Sequence, residues 1–536
     1  MLNLKPVIRI GTAAIGTLAT LSASCKGETN NPNVIFILLD DYGYTDLGCY
    51  GSKYYLTPNI DRLAKQGVRF TDAYAACPVS SPTRASLMTG KYPVNTGITD
   101  WIPGRQASNS GSPSDKLVAL PFNLQLELYE TTIAEALKKN GYKTMISGKW
   151  HLGEKEEYWP ENQGFDVNKG GFSKGSPVKN NVSNGYFSPY GNPRLEDGPA
   201  GEYLTDRQTD EAITFITNNK TNPFYLYLSY YAVHNPMQGK EKLIEYFTHR
   251  ADSMGLSKQE AFTRNKDWIL PSMSNNYKER IIQSNPVYAA MIYSVDENIG
   301  KLLAKLEELR LDNNTIIIFT SDNGGLSTSE GSPTCNAPLR AGKGWLYEGG
   351  IRVPLIVRYH SKGKPGCEIS TPVSSIDYFS TIIEMTGSTV NGNKTDGVSF
   401  VSLFKEDKMK ERPLFWHYPH YSNQGVEPGS AVRLGKFKLI DNFQSGKQEL
   451  YDLEKDISET NDISASNPEK TKELFNLLKE WRTKTGAKMM IQNPSWVGIK
   501  NDMKSNKPRS NTEAGVNSSV KLRENSVELR VKKINI

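Results

Sequence analysis

One stretch of the chain combines the start of a helix with hydroxyl and cationic side chains. It covers residues 77–90 and has the sequence CPVSSPTRASLMTG. Pro82 suits the first turn of a helix, because its missing N–H costs nothing there. The hydroxyl of Ser80 would then lie at a helix N-terminus, where free amides and the helix dipole favour negative charge. Arg84, about one turn later, could point to the same place. The alternative is an ordinary capped helix.

Acidic and amide side chains follow two apolar segments that are typical of buried strands. Asp40 and Asp41 come directly after the run VIFILL, and Asp322 and Asn323 come shortly after the run TIIIFT. In open parallel sheets, ligands bind beyond the carboxyl ends of the strands. One Asp-Asp pair is usually a turn or a cap, but two such clusters at equivalent strand ends favour a cation site. Their hard oxygen ligands suit Ca²⁺ or Mg²⁺ and do not suit zinc.

Three further motifs place basic residues next to predicted strands or among glycines. Lys149 and His151 stand two apart in GKWHLG, which follows a predicted strand, and in extended chain they point to the same side. His234, in the sequence HNP, also ends a predicted strand. Lys343 lies in AGKGWLYEGGIRVP, whose glycines allow close backbone approach. Each residue alone could be a solvated lysine or a structural histidine. Only six histidines exist, so two at strand ends are less easily explained by chance.

Together these motifs resemble the type I sulfatases of the alkaline-phosphatase-like superfamily, over roughly residues 32–487. In that family the first residue of the signature, Cys or Ser, is oxidised after translation to formylglycine (3-oxoalanine). Here this position is Ser80, and Cys77 lies three residues too early and is expected to be a small buried side chain. The Ser-type motif implies a formylglycine-generating maturase of bacteria that acts on serine.

The resemblance also implies the chemistry and the site. One hydroxyl of the formylglycine hydrate attacks sulfur, and the other then expels sulfate, which divides one difficult step into two.

The divalent cation, Ca²⁺ in preference to Mg²⁺, would be held by Asp40, Asp41, Asp322, Asn323 and the residue formed from Ser80. Arg84 would clamp the hydrate and balance the acidic cluster, while Lys149 and Lys343 would contact sulfate. His151 would be the base that triggers sulfate release. His234 would contact sulfate and protonate the leaving alcohol, with Asp322 as the alternative donor. For Arg352, an active-site role and a structural role both remain open, and the nearness of Glu348 in the sequence favours a structural pair.

Alternation of strands and helices predicts the fold that positions these residues. It favours an α/β domain over residues 26–407, with a large mostly parallel or mixed sheet between helices. Long Gly-, Pro- and Asn-rich insertions at 154–203 and 236–285 are expected to shape a pocket. Strand and helix patterns over residues 408–490 predict a smaller C-terminal α+β domain with an antiparallel sheet.

Both ends of the chain differ from the body. Residues 1–25 have Lys5 and Arg9 before an apolar segment, which is typical of an export signal and too short for a convincing membrane span. Cys25 resembles the lipid-accepting cysteine of a bacterial lipoprotein, with simple cleavage nearby as the alternative. The protein is therefore expected in the periplasm or at the outer membrane. The basic tail, 491–536, carries much of the net charge of +6, so no nucleic-acid-binding face is implied.

An exported sulfatase is expected to act on a sulfated glycan, for example a galactose or N-acetylgalactosamine sulfate. Trp101 could stack on a sugar and Arg105 could bind a polar neighbour, since both follow the signature helix closely. His417, in the segment WHYPHY of the C-terminal domain, is a candidate substrate contact from a second wall of the pocket. Two alternatives remain open: a phosphoesterase of the same superfamily, and a catalytically silent glycan-binding lipoprotein.

Overall fold

A twisted sheet of eight strands forms the centre of the molecule. The structure is a computed structural model that describes residues 31–106, 115–263, 278–359, 363–390, 392–405 and 408–496. The strands are β1 (Asn33–Leu39), β2 (Val68–Phe70), β3 (Lys143–Gly148), β4 (Val167–Lys169), β5 (Phe224–Ser229), β6 (Thr315–Ser321), β7 (Leu355–Arg358) and β8 (Glu368–Ile369). Their order across the sheet is β8-β2-β7-β6-β1-β5-β3-β4. β7 is antiparallel to both neighbours and the other ladders are parallel, which confirms the predicted sheet.

Helices cover both faces of this sheet because successive side chains of a strand point to opposite faces. In β1, the residues Ile35, Ile37 and Leu39 belong to one apolar cluster, and Val34, Phe36 and Leu38 belong to the other. The first cluster packs against α1 (Pro58–Gln66), α4 (Leu204–Asn218), α5 (Glu241–Ser253) and α6 (Pro286–Glu308). The second packs against α2 (Ser80–Thr89), α3 (Ile133–Lys139) and α7 (Asp377–Thr386). Burial on two sides explains the unbroken apolar run of this strand.

The two long insertions contain regular elements that the sequence pattern did not reveal. β4 lies within residues 154–203 and extends the main sheet beside β3, with Met145 paired to Val167. α5 lies within residues 236–285 and buries Phe247 against the first cluster. Both segments are therefore partly structural.

A second, antiparallel sheet forms the core of the C-terminal domain. Its strands are β9 (Leu414–Tyr418), β10 (Gly429–Leu434), β11 (Phe437–Asn442) and β12 (Gln448–Asp452), paired in that order. α8 (Pro468–Thr485) covers one face, where Leu474, Leu478 and Trp481 pack against the sheet. This agrees with the predicted α+β domain. The boundary predicted between residues 407 and 408 falls beside residues 406–407, which lie outside the described residues.

The ends of the chain are described only in part. The predicted export signal at 1–25, with Cys25, and residues 497–536 lie outside the described residues. The start of the predicted tail contacts the body, because Ile491–Gln492 pairs with Leu117–Val118. Within the described ranges, no helix is both long enough and apolar enough to cross a membrane.

Candidate active site

The acidic residues of the two predicted clusters meet at one edge of the main sheet. β1 and β6 are parallel neighbours with Leu39 opposite Ser321, so the residues that follow them lie side by side. The Asp41 backbone N–H donates to Asp322 Oδ1 at 3.2 Å, and Asn323 Nδ2 donates to Asp41 Oδ1 at 2.8 Å. The side chains of all four residues, including Asp40, are almost fully buried. The parallel register therefore assembles the predicted oxygen cluster.

Ser80 is the first residue of α2 and points into this cluster. Its Oγ donates toward Asp40 Oδ1 at 3.2 Å and lies 3.4 Å from Asn323 Oδ1. Ser80 is 3 % exposed, and every other residue of α2 is buried as well. The free amides of the helix N-terminus face the same region and favour an anion there.

Three cationic side chains pair with the three buried carboxylates. Arg84 binds Asp322 through Nη2 at 2.7 Å and Nε at 2.9 Å. Lys149 Nζ lies 2.7 Å from Asp40 Oδ2 and 3.3 Å from Ser80 Oγ. Lys343 Nζ lies 2.9 Å from Asp41 Oδ2. Each buried charge thus has an opposite partner, which burial of ions requires.

The same pairs shift the pKa values of their members. Burial raises the pKa of Asp40 in spite of Lys149, and burial lowers the pKa of Lys149 in spite of Asp40. Burial alone would raise the pKa of Asp322, but the positive charges of Arg84 and Lys149 outweigh this effect and lower the pKa. Asp322 is therefore held as the carboxylate, and Lys149 gives up its proton more readily than an exposed lysine.

His234 lies beside Lys343 at the rim of the cluster. Its Nε2 is 3.2 Å from Lys343 Nζ and 3.7 Å from Asp41 Oδ2. Its Nδ1 is 3.0 Å from the carbonyl oxygen of Asn235. Because a carbonyl only accepts, Nδ1 carries a proton, and Nε2 faces the lysine.

His151 is held from the opposite side by the loop that follows α2. Its Nε2 donates to the Ile102 carbonyl at 2.5 Å, and its buried Nδ1 has no hydrogen-bond partner. Burial, reinforced by Lys149, lowers the pKa of His151 well below its usual value. The ring is therefore neutral, with a free lone pair on Nδ1.

A cavity of about 580 Å³ opens above these groups. Ser80, His151, His234 and Lys343 contribute to its lining, whereas Asp40, Asp41, Arg84, Lys149, Asp322 and Asn323 lie beneath them. Trp101, 43 % exposed, and Arg105 also line this cavity, whereas their predicted contact with a sugar stays a prediction. The C-terminal domain supplies residues 421–424 as a further wall.

His417 does not line the cavity, and its predicted contact with substrate is not supported. It is 3 % exposed, with Nδ1 2.7 Å from Ser430 Oγ and Nε2 3.0 Å from the Lys488 carbonyl. Both ring nitrogens are engaged inside the C-terminal domain. The side chains of β9 alternate in direction, and the segment WHYPHY gave no sign of which ones face outward. Its last residue, Tyr421, is the one that lines the cavity.

Several residues that line the cavity were not singled out by the sequence. Glu154 and Lys174 come from the first insertion, and Glu330 comes from the loop after β6. The Glu330 carboxylate accepts hydrogen bonds from Asn235, Asn423 and Gln424 at 2.7 to 3.2 Å. These are loop residues in which no periodicity exists, so only the composition of the insertion indicated a pocket.

The oxygen cluster fits a hard divalent cation. Ser80 Oγ lies 3.2 Å from Asp40 Oδ1 and 3.4 Å from Asn323 Oδ1. Such separations are expected between neighbouring ligands of a cation whose bonds to oxygen are about 2.3–2.6 Å long. Ligand atoms of Asp40, Asp41 and His234 also lie within 4.8 Å of one another. A histidine is a less suitable ligand for Ca²⁺ or Mg²⁺ than an oxygen donor, so the carboxylate and amide set is the better candidate.

Comparison with known proteins connects this geometry to a family. Residues 32–388 match the model of the family described as Sulfatase, and residues 341–486 match the one described as N-sulphoglucosamine sulphohydrolase, C-terminal. A protein named Sulfatase from Formosa agariphila is 30 % identical, covering 88 % of this chain and 92 % of its own. The human N-acetylgalactosamine-6-sulfatase is 29 % identical, covering 73 % of this chain and 69 % of its own.

A solved structure supports the same assignment. The crystal structure of Ps i-CgsB in complex with k-i-k-neocarrahexaose is 30 % identical, with a TM-score of 0.67, covering 87 % of this chain and 95 % of the other. The family match extends over both clusters, the signature helix and the lysine and histidine motifs. The chain is a sulfuric ester hydrolase that belongs to the sulfatase family.

Proposed function

We propose that the protein hydrolyses sulfate esters on a glycan, with formylglycine formed from Ser80 as its nucleophile and Ca²⁺ as its cation. The observation that carries this proposal is the position of Ser80 Oγ, 3.2 Å from Asp40 and 3.3 Å from Lys149 at the floor of the cavity. A plain serine there would form a stable sulfate ester with no easy exit. The hydrated aldehyde supplies two hydroxyls on one carbon, so that one can attack and the other can release sulfate.

The residues beneath Ser80 would hold the cation and the nucleophile. Oxygens of Asp40, Asp41, Asp322, Asn323 and residue 80 would bind Ca²⁺, which favours the ionised nucleophile at neutral pH. Arg84 holds Asp322 in place through a hydrogen bond from Nε and an ion pair at Nη2, and its Nη1 donates to Ser229 Oγ at 2.7 Å. The carboxylates are thereby held in a fixed orientation before substrate arrives.

The sulfate group would be bound by the cations that border the cavity. Lys343 and His234 lie 3.2 Å apart at the rim, and Lys149 lies beside Ser80. Positive charge and N–H donors at these positions would stabilise the oxygens as negative charge develops on them. Mg²⁺ in place of Ca²⁺ would leave these roles unchanged.

Two histidines would move the protons. His151 is neutral, with an unpartnered Nδ1 that can accept a proton from the second hydroxyl of residue 80. His234 contributes to the lining of the cavity and can protonate the leaving alcohol. Asp322 is the weaker candidate for that role, because it is fully buried and Arg84 and Lys149 keep it ionised.

The substrate and the location complete the proposal. Trp101 and Arg105 would contact the sugar, which we propose to be a galactose or N-acetylgalactosamine sulfate, in line with the relative named N-acetylgalactosamine-6-sulfatase. The signal at residues 1–25 would export the protein to the periplasm or outer membrane, with lipid attachment at Cys25. A maturase acting on serine would convert Ser80.

The proposal is tested on protein from an anaerobic native host by mass spectrometry of the peptide that contains Ser80. We expect a loss of two hydrogens at this residue, and hydrolysis of sulfated sugars but not of phosphate mono- or diesters. Ser80→Ala should abolish turnover. Ser86→Ala is the matched control, since Ser86 Oγ lies in the same helix without a hydrogen-bond partner. An unmodified Ser80 in active protein would refute the mechanism, and phosphoesterase activity or binding without turnover would support the alternatives.

A further inference from the structure

The loop of residues 99–105 carries the two sugar-facing side chains but has little packing of its own at its tip. Trp101 is 43 % exposed, and Arg105 is also exposed at the outer part of the cavity. An exposed indole or guanidinium has many orientations, and each one lost on binding lowers the affinity. Sugar binding by these residues therefore depends on how firmly the backbone of the loop is held.

Asp100 is the buried anchor of this loop. It is 1 % exposed, and its Oδ1 accepts the backbone N–H of Trp101 at 2.9 Å. The same oxygen accepts the hydroxyl of Tyr418 at 3.0 Å. Tyr418 is the last residue of β9, so this hydrogen bond ties the loop to the C-terminal sheet. A buried carboxylate needs such donors, because burying it without them is costly.

His420 reinforces the tie from the same side. Its Nε2 lies 2.9 Å from Thr99 Oγ1, and its Nδ1 lies 3.8 Å from Asp100 Oδ2. The ring packs edge-on against Phe122 and at a tilt against Tyr418, with centroids 5.3 and 5.4 Å away. The imidazole is 2 % exposed and is therefore unable to contact a substrate.

A second anchor, at Ile102 in the middle of the loop, connects the loop to Ser81 and to His151 by hydrogen bonds. The Ile102 N–H donates to Ser81 Oγ at 3.1 Å, and the Ile102 carbonyl accepts from His151. Ser81 Oγ in turn donates to the His151 carbonyl at 3.0 Å. The loop thus has one anchor in the catalytic domain and one in the C-terminal domain, with Trp101 between them.

We propose that Asp100, Tyr418 and His420 are positioning residues for glycan binding, which hold Trp101 and Arg105 at the mouth of the sulfate pocket. Through Tyr418 and His420 the C-terminal domain then contributes to the affinity for the sugar, while the sulfate group is bound by the catalytic domain. This inference rests on the proposed function and adds the groups that hold its sugar-binding loop.

The test compares two substrates on matured Tyr418→Phe enzyme. 4-Nitrophenyl sulfate reports on the sulfate pocket, and N-acetylgalactosamine 6-sulfate also requires the loop. We expect the ratio of the KM for the sugar sulfate to the KM for the aryl sulfate to rise at least fivefold. Tyr451→Phe is the matched control, because it removes a buried hydroxyl of the same sheet that binds Glu449 at 2.9 Å. An unchanged ratio, or an equal rise in the control, would overturn the inference.

Hydrogen–deuterium exchange gives a readout that needs no substrate. Exchange of a peptide covering residues 99–106 should accelerate several-fold in Tyr418→Phe and in His420→Gln, while a peptide covering α2 should change little. If this peptide exchanged at the same rate in the variants and in the wild type, Tyr418 and His420 would not anchor the loop. If the wild type turns over neither substrate, the proposed function fails, and the exchange experiment alone then decides whether the anchor exists.

Discussion

At the scale of single residues, the active site is a set of buried ions whose charges depend on one another. Asp40, Asp41 and Asp322 each have one cationic partner within 3 Å. Removing one member of a buried pair leaves an uncompensated charge, which is more costly than losing the pair as a whole. Sequence motifs identified these residue types through a family resemblance. The pairing itself could not be predicted, because it depends on how strands far apart in sequence lie side by side.

Arg84→Met should both destabilise the protein and abolish activity. The variant leaves Asp322 ionised and fully buried, so the free energy of unfolding should fall by about 3–5 kcal/mol. Denaturant unfolding measures this loss. Arg194→Met is the control, because Arg194, whose side chain is 26 % exposed, pairs with the more exposed Glu156 and Glu161, and its loss should cost less than about 1 kcal/mol. Equal losses in the two variants would contradict the argument.

Asp100 should make stability depend on pH. Burial raises the pKa of Asp100 to about 7, in spite of hydrogen bonds from Trp101 and Tyr418 and the charge of Arg105; the His420 ring also faces it. The native state therefore keeps a proton that the unfolded state has lost, so stability falls as pH rises from about 4 to about 7.

Asp100→Asn should remove this dependence. Relative to the wild type, the free energy of unfolding of the variant should rise by up to about 4 kcal/mol between pH 4 and pH 7. Above pH 7 the difference between the two proteins should change little. Urea unfolding at several pH values measures it. Parallel curves for the two proteins across this range would show that Asp100 titrates normally.

At the scale of elements, long and strongly patterned segments were predictable and short ones were not. β1 and β6 were predicted to within a residue or two, because a strand buried on both faces gives an unbroken apolar run. β4 has only the residues VNK and depends on its neighbour β3, so no local pattern reveals it. α6 begins at Pro286, because Asn285 caps it by accepting the N–H groups of Val287 and Tyr288.

Gly148 ends β3 directly before Lys149 and is irreplaceable at that position. Its φ is +110°, and an added Cβ would lie 1.9 Å from the Ser229 carbonyl oxygen. Gly148→Ala should therefore separate β3 from β5, lower stability by about 2–4 kcal/mol and displace Lys149. Thermal unfolding and turnover of an aryl sulfate check both effects.

Gly141→Ala is the matched control for that variant. Gly141 also has a positive φ, +86°, but an added Cβ would meet nothing within 4 Å. Gly141→Ala should lower the free energy of unfolding by only about 1 kcal/mol, because the only penalty is that of a positive φ for a residue with a Cβ. Turnover should stay intact. If both variants lost the same stability, the close contact at Gly148 would have no energetic role.

At the scale of the whole molecule, the two domains are joined by charges that neither sequence segment reveals alone. Lys438, on β11, is fully buried and lies 2.9 Å from Glu348 and 2.8 Å from Glu459. Glu348 begins a short helix in the segment that carries Lys343, and it also pairs with Arg352, as the sequence predicted. The antiparallel sheet of the C-terminal domain was predictable from the change of pattern. Its contact with the Lys343 segment was not, since the partners are about 90 residues apart.

Lys438→Met should weaken the interface between the domains. Glu459 can take up a proton, because burial raises its pKa to about 7, but Arg352 and Arg433 still favour the charged form of Glu348. We expect a loss of about 3–5 kcal/mol in unfolding free energy. Lys436→Met, which removes a partly exposed pair with Asp452, should cost much less. Similar losses would argue against a special role for the buried lysine.

The burial of Ser80 has a consequence for the order of events in the life of the chain. Ser80 lies at the floor of the cavity and is only 3 % exposed, in a helix that is buried from end to end. If Ser80 is oxidised as proposed, the oxidising enzyme would have to reach the segment before this helix is buried in the folded protein. Under the proposed mechanism, a chain that folds before Ser80 is oxidised would stay inactive, however stable its fold is.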